Sequence, residues 1–272
     1  GVMLLIKRLG GSEEEQIAGL LHDVSHTAFS HVIDFALENQ DEDYHEKIYN
    51  DIIGSSSIPH ILKSYGYKAE DILDNNDKWT ILEQSAPALC ADRVEYTLRD
   101  MFTYGYITTK DISAFLDDII IVEGKMCLSS PEIAEWFVQT YYREVIDFFM
   151  DPLNIYGYDL LAKAIKRALK QEFLTFNDLL CTDEEVLRKL RSSNDKEVVD
   201  LLNQLHDQVC VVEDETQFDL HRKNKVRLID PCILKNQHIV KSSTLSPKIK
   251  EMTEAANIKA EKGVYVRIIK EN

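Results

Sequence analysis

Leu20-Leu21-His22-Asp23-Val24-Ser25-His26-Thr27-Ala28-Phe29-Ser30-His31 is the stretch that decides the reading of this chain. An imidazole and a carboxylate side by side can hold one divalent cation between them. His26 falls one helical turn after His22, so it can face the same cavity. A His-Asp doublet alone is most often an ordinary surface pair. Here it comes with two further histidines and follows an amphipathic run, so a metal-and-phosphate site is the sharper reading.

Working outward, most of the chain reads as helix. Ser12 and Glu15 form a capping box, in which Glu15 reaches back to the helix start, and Ile17, Ala18, Leu20, Leu21 and Val24 supply an apolar face. A helix resumes over His31 to Leu37, and Tyr44-His45-Glu46 opens another. Pro87 suits a first helical turn, and the helix it opens runs to about Thr103. Ile119–Leu128, turning at Glu123-Gly124, reads as a hairpin. Ser130-Pro131 starts a helix to about Phe149, and further helices cover Tyr158–Gln171, Asp183–Arg191 and Asp195–His206. Past residue 208 the texture changes to β-branched runs at 209–212, 225–229 and 264–269, with a helix over 247–260. The expected fold class is mostly α: a helical body over 1–208 with a small α/β appendage over 209–272.

Composition narrows the function. The chain has 272 residues and a formal net charge of −16. That charge disfavours nucleic-acid binding, whose affinity comes from Lys and Arg neutralising phosphates. It does not exclude a small phosphate substrate, since one metal and a few cations can dominate a pocket. No apolar run approaches the roughly 18 residues of a membrane span, so no membrane partner is expected. Cys90, Cys127, Cys181, Cys210 and Cys232 are scattered, odd in number and without CxxC pairs. That is the usage of a reducing cytosol, and a cytoplasmic protein is expected.

A second segment completes the pattern. In Leu89-Cys90-Ala91-Asp92-Arg93-Val94-Glu95-Tyr96-Thr97-Leu98-Arg99-Asp100, Asp92, Tyr96, Arg99 and Asp100 recur on one helix face. Together with LLHDxxHxxFSH, this DRxxYxxRD string resembles the HD superfamily of metal-dependent phosphohydrolases. The similarity is greatest to the branch containing deoxynucleotide triphosphate triphosphohydrolases. It covers about residues 1–149 and fades beyond them.

The resemblance implies roles. His22, Asp23 and Asp92 would be metal ligands. His26 and His31 match histidines that face the phosphates, and Asp34 and His45 match a proton-transfer pair. Arg93 would bind a phosphate oxygen, Tyr96 the phosphate or sugar, and Asp100 the sugar 3′-hydroxyl, while Arg99 is structural. The cofactor would be a divalent ion, with Mn, Fe, Co, Ni, Zn and Mg all compatible with such ligands. Proteins of this branch form homo-oligomers, and the same is expected here by analogy. His60, His206, His221 and His238 have no such partners and read as structural or solvated.

The chain also departs from the pattern. The family's first ligand His lies on a helix of the form RxEHSxG, and Gly1-Val2-Met3-Leu4-Leu5-Ile6 resembles the continuation just after it, so that ligand is expected upstream of Gly1. The later helix that grips the triphosphate through Arg, His and Tyr aligns with Val138, Tyr142 and Ile146, leaving Arg143 as the nearby cation. Thr27-Ala28 replaces the usual Gly-Pro. The expected function is hydrolysis of a nucleotide or related phosphoester, with a deoxynucleoside triphosphate leading. The alternative is a non-catalytic nucleotide sensor or assembly module with a degenerate site.

Overall fold

The computed structural model describes residues 1–39, 41–73 and 78–269. In chain order the helices are α1 (Val2–Arg8), α2 (Glu13–Leu21), α3 (Val32–Ala36), α4 (Tyr44–Ser55), α5 (Ile58–Ser64), α6 (Ala69–Leu73), α7 (Ala91–Thr103), α8 (Thr109–Asp118), α9 (Pro131–Tyr142), α10 (Pro152–Lys170), α11 (Asp183–Arg191), α12 (Lys196–Asn203) and α13 (Pro247–Lys262). The strands are β1 (Ile119–Val122), β2 (Lys125–Leu128), β3 (Val211–Glu213), β4 (Leu220–Arg222), β5 (Cys232–Lys235), β6 (His238–Lys241) and β7 (Val264–Ile268). The fold is mostly helical, as expected.

The chain forms two compact units interleaved in sequence, rather than a body and an appendage divided at 208/209. The first comprises 1–22, 57–148 and 226–261, and the second 23–56, 149–225 and 262–272. The reason is strand pairing. β1 and β2 form the expected hairpin through Glu123 and Gly124, both at positive φ. β2 then takes β5 as a parallel neighbour, with Cys127 opposite Cys232, and β6 closes the sheet in the order β1-β2-β5-β6. β3, β7 and β4 make a separate antiparallel sheet in the second unit. The expected strand at 225–229 is not formed; β4, β5 and β6 carry the pairing instead.

In the first unit, α1 packs on α2 across Gly19, where a Cβ would meet Ile6 Cδ1 at 2.4 Å. A larger residue there would require the end of the buried Ile6 side chain to move. The buried residues of α2 are Glu15, Ala18 and Gly19, and Leu20 is 61 % exposed, so the apolar stripe read from the sequence is not the packed face. Phe115 stacks on Phe137 at 4.2 Å, and Val94, Met101 and Val138 are fully buried.

In the second unit, α10 presents Leu161, Ala164, Ile165 and Ala168 at helical spacing to a core that includes Val32, Ile33, Leu179, Val186 and Val198. Burying such a face is what stabilises the short α3, since a five-residue helix is not stable alone.

Candidate metal centre

His22 follows the last residue of α2. Its Nδ1 lies 3.0 Å from the carbonyl oxygen of Gly19, an atom that can only accept, so Nδ1 carries the proton. When the ring is neutral Nε2 is then an acceptor, and it lies 3.3 Å from Asp92 Oδ1. Two acceptors face each other at a distance that needs a cation or a proton between them. An imidazole whose far nitrogen is held by a backbone carbonyl is the arrangement that orients a metal-binding histidine. Within the first unit, this pair fits a divalent ion.

Asp92 is placed by its neighbours. α7 begins at Ala91, with Cys90 at its N-cap position, so Pro87 precedes the helix instead of opening it. The N–H groups of Ala91 and Asp92 donate to the carbonyls of Ile81 (2.7 Å) and Leu82 (3.4 Å). Ile81 and Leu82 in turn donate their N–H groups to Glu15 Oε1, at 2.7 and 3.2 Å. Ser12 caps α2 as expected, but Glu15 does not reach back to it. The Glu15 carboxylate is buried and serves the loop ahead of α7.

The other side chains on α7 are engaged inside the first unit. Arg93 Nη1 donates to the carbonyls of Gln84 (2.7 Å) and Ala88 (3.0 Å), and Nη2 to Glu83 (2.9 Å). Its guanidinium thus ties down the loop before α7. The Tyr96 hydroxyl meets that of Tyr141 at 3.4 Å, and burial pushes its phenol well above the usual tyrosine range. Arg99 donates to Glu95 and Asp100, the structural role expected of it. On the aligned later helix, Val138 is fully buried. The Tyr142 hydroxyl donates to the Ile229 carbonyl at 3.2 Å, and Arg143 lies over the Tyr106 ring.

The second unit begins at Asp23 and holds the remaining candidates. His26 and His45 stack at 4.1 Å between ring centroids, and His31 meets both edge-on at 5.4 and 5.5 Å. His26 Nε2 lies 3.4 Å from Asp23 Oδ1. One ligand atom from each of Asp23, His26 and His45 falls within 4.8 Å of the others, so these three can also hold a cation. Burial, then the neighbouring His26 and His31, pushes His45 down to about 4, while Asp23 and Asp34 oppose this.

Asp34 is almost wholly buried. Its Oδ1 accepts from Asn39 Nδ2 (2.6 Å) and Tyr44 N (3.0 Å), and Oδ2 lies 3.6 Å from His31 Nδ1. Asp34 therefore neighbours His31 directly, and it reaches His45 by fixing the first turn of α4. The turn carrying the histidines is anchored as well. Ala28 N donates to Leu179 O at 2.7 Å and Phe29 N to Asp183 at 2.8 Å, with Phe29 and Ser30 at positive φ. The roles of Glu15, Asn39 and Asp183 in building the site were not read from the sequence, where Glu15 is half of a capping box and Asp183 the start of a helix. The only signal there is a polar residue near a motif, which distance along the chain hides.

No helix among the described residues is long and apolar enough to cross a membrane.

Comparison with known proteins places the chain. No family model matches it. It is 55 % identical over 271 residues to the uncharacterized protein YdhJ of Bacillus subtilis, covering 100 % of this chain and 83 % of that protein. It is 26 % identical over 241 residues to the metal-dependent phosphohydrolase cns2 of Cordyceps militaris, covering 86 % of this chain and 69 % of that one. Two solved structures share the fold. A hypothetical protein from Aquifex aeolicus superposes with a TM-score of 0.66 at 20 % identity, over 94 % of this chain and 83 % of that one. A phosphohydrolase from Bacteroides thetaiotaomicron does so with a TM-score of 0.63 at 13 % identity, over 100 % and 85 %. The chain belongs to the family of YdhJ, and a metal-dependent phosphohydrolase is among its more distant relatives.

Proposed function

We propose that this protein is an HD-type, metal-dependent phosphohydrolase acting on a nucleotide or related phosphoester. The observation that carries the reading is His22 Nε2 facing Asp92 Oδ1 at 3.3 Å while Nδ1 is held by the Gly19 carbonyl. The kinship with a metal-dependent phosphohydrolase supports it.

In this reading His22, Asp23 and Asp92 hold the ion; Asp23 is joined to His22 by a peptide bond. A divalent ion held there would supply Lewis-acid polarisation of a phosphoryl oxygen and a lowered pKa for water. His45, held neutral by burial and its histidine neighbours, has a free lone pair with which to take a proton from the attacking water or return one to the leaving group. His26 stacks on it and keeps its plane fixed, and His31 with Asp34 presents an N–H to a phosphate oxygen. Tyr96 and Asp100 would contact the sugar.

A deoxynucleoside triphosphate remains the leading substrate by resemblance. The terminal phosphate would be held weakly, because Val138 offers no hydrogen bond and the Tyr142 hydroxyl is engaged with the backbone. Homo-oligomerisation and a cytoplasmic location belong to the same proposal.

The test is metal analysis of the purified protein, followed by a phosphate-release screen over nucleotides and phosphomonoesters with Asp92→Ala as control. Stoichiometric metal and Asp92-dependent release are expected. A protein that takes up no divalent metal and releases no phosphate would overturn the reading.

A further inference from the structure

Glu144 is 0 % exposed, yet neither of its carboxyl oxygens has a hydrogen-bond donor, and Thr97 Oγ1 beside it is equally unsatisfied. A buried acid left in this condition requires an explanation. As structure alone it is costly, since an apolar side chain would fill the space without desolvating a carboxyl. Its backbone setting is also special. Glu144 lies in the π-helical run Arg143–Phe148 that follows α9, and such single-turn widenings concentrate at functional sites.

What faces Glu144 is the ligand-bearing helix α7. Helix α7 packs against this π-helical run, and its Thr97 and Asp100, one turn apart, are the polar side chains that act on Glu144. The charged or titratable groups around it are Asp100, Arg99 and Tyr96. Arg99 is committed to Glu95 and Asp100, and the Tyr96 hydroxyl to Tyr141. Two carboxyl groups in contact are both acceptors when ionised, so they bond only if one keeps a proton. Burial pushes Glu144 up to about 8, with Asp100 adding to the rise, so Glu144 is the partner that keeps it. Asp100 is the outer member of the pair, its side chain 33 % exposed.

We propose that Glu144 is the positioning residue of Asp100: it donates a retained proton to Asp100 and thereby holds that carboxyl as a fixed acceptor for a hydroxyl of the bound phosphoester. The ligand class is then a hydroxyl-bearing phosphoester, such as a nucleotide or sugar phosphate. The choice of ligand rests on the function proposed above; the shared proton does not.

Two measurements on the whole protein test this. In infrared difference spectroscopy, the unaltered protein should show a protonated carboxyl band at neutral pH that titrates away near pH 8 and is missing in Glu144→Gln. Identical spectra in the two proteins would overturn the shared proton. The second measurement compares a nucleoside phosphate with its 3′-deoxy analogue. Glu144→Ala should cut the preference for the hydroxyl-bearing substrate about tenfold, the scale of one hydrogen bond to a charged group. The loss should fall on KM and leave kcat in place. Glu144→Gln, whose amide N–H can donate to Asp100 as the acid did, should restore the preference, and Asp100→Asn should abolish it. Equal losses on both substrates, or no rescue by Gln, would overturn the positioning role. If Glu144→Ala fails to fold, the Gln and Asp100→Asn variants decide the same question. Absence of turnover by every protein, the unaltered one included, would overturn the phosphohydrolase reading and leave the infrared result to judge the carboxyl pair alone.

Discussion

Glu15 Oε1 accepts the backbone N–H of Ile81 at 2.7 Å, across 66 residues of sequence, and so links the helix that ends at His22 to the loop that positions Asp92. Both donors bound by this carboxylate, at Ile81 and Leu82, are buried. Leaving two buried N–H groups without acceptors costs about 2–6 kcal/mol. Glu15→Ala should therefore lose stability of that order in urea denaturation. Glu15→Gln, which keeps an acceptor oxygen, should lose less. Metal occupancy should fall in step, because the Ile81 and Leu82 carbonyls receive Ala91 and Asp92. A variant with unaltered stability would show that the loop is held by other contacts.

Asp92→Ala should remove divalent metal and hydrolysis while leaving the helical circular-dichroism spectrum intact. Asp92 caps no helix with its side chain, and its carboxylate faces His22. Full metal occupancy with normal turnover in this variant would exclude Asp92 as a ligand.

His45→Ala should lower kcat by about 10²–10⁴-fold, the usual contribution of a proton-transfer group, with metal content unchanged. Metal analysis run beside the kinetics separates two roles. Loss of one metal equivalent would mean that Asp23, His26 and His45 hold a cation of their own.

Mono-, di- and triphosphates of one nucleoside should compete with similar affinity. Val138 is fully buried and the Tyr142 hydroxyl is engaged by Ile229 and Thr253, so neither grips a terminal phosphate. Stepwise tightening with each added phosphate would restore a full triphosphate grip.

Stability should fall on acidification in a way that Asp178 reports. Hydrogen bonds from Lys189 and Thr175 hold its carboxyl down at about 2. A depressed acid stabilises the folded state above the ordinary Asp range, and that contribution is lost as pH falls through about 2. Asp178→Asn should flatten this limb of a melting-temperature profile. An unchanged acid limb would show that the Lys189 pair adds nothing, as for many exposed ion pairs.

The local features were legible in the sequence because short-range physics sets them. The Ser130 cap, the Glu123-Gly124 hairpin and the helices at Asp183–Arg191, from Tyr44 and from Asp195 each depend on residues within one turn of one another. So did the grouping of Asp92, Tyr96, Arg99 and Asp100 on one face of α7. Other features depended on partners far along the chain. The helix over Ala91–Thr103 starts late because Arg93 holds the loop carbonyls before it. β2 pairs with β5 and interleaves the two units, which no local pattern encodes. Glu15 looks like half of a capping box and instead serves a loop 66 residues away. Glu144 reads as one more helical acid until burial and the face of α7 deprive it of water. The sequence by itself determined which side chains could do the chemistry and which short segments would be helix or turn. Only the tertiary structure decided which polar groups are desolvated and what they face, because burial and long-range hydrogen bonding are properties of the packed chain.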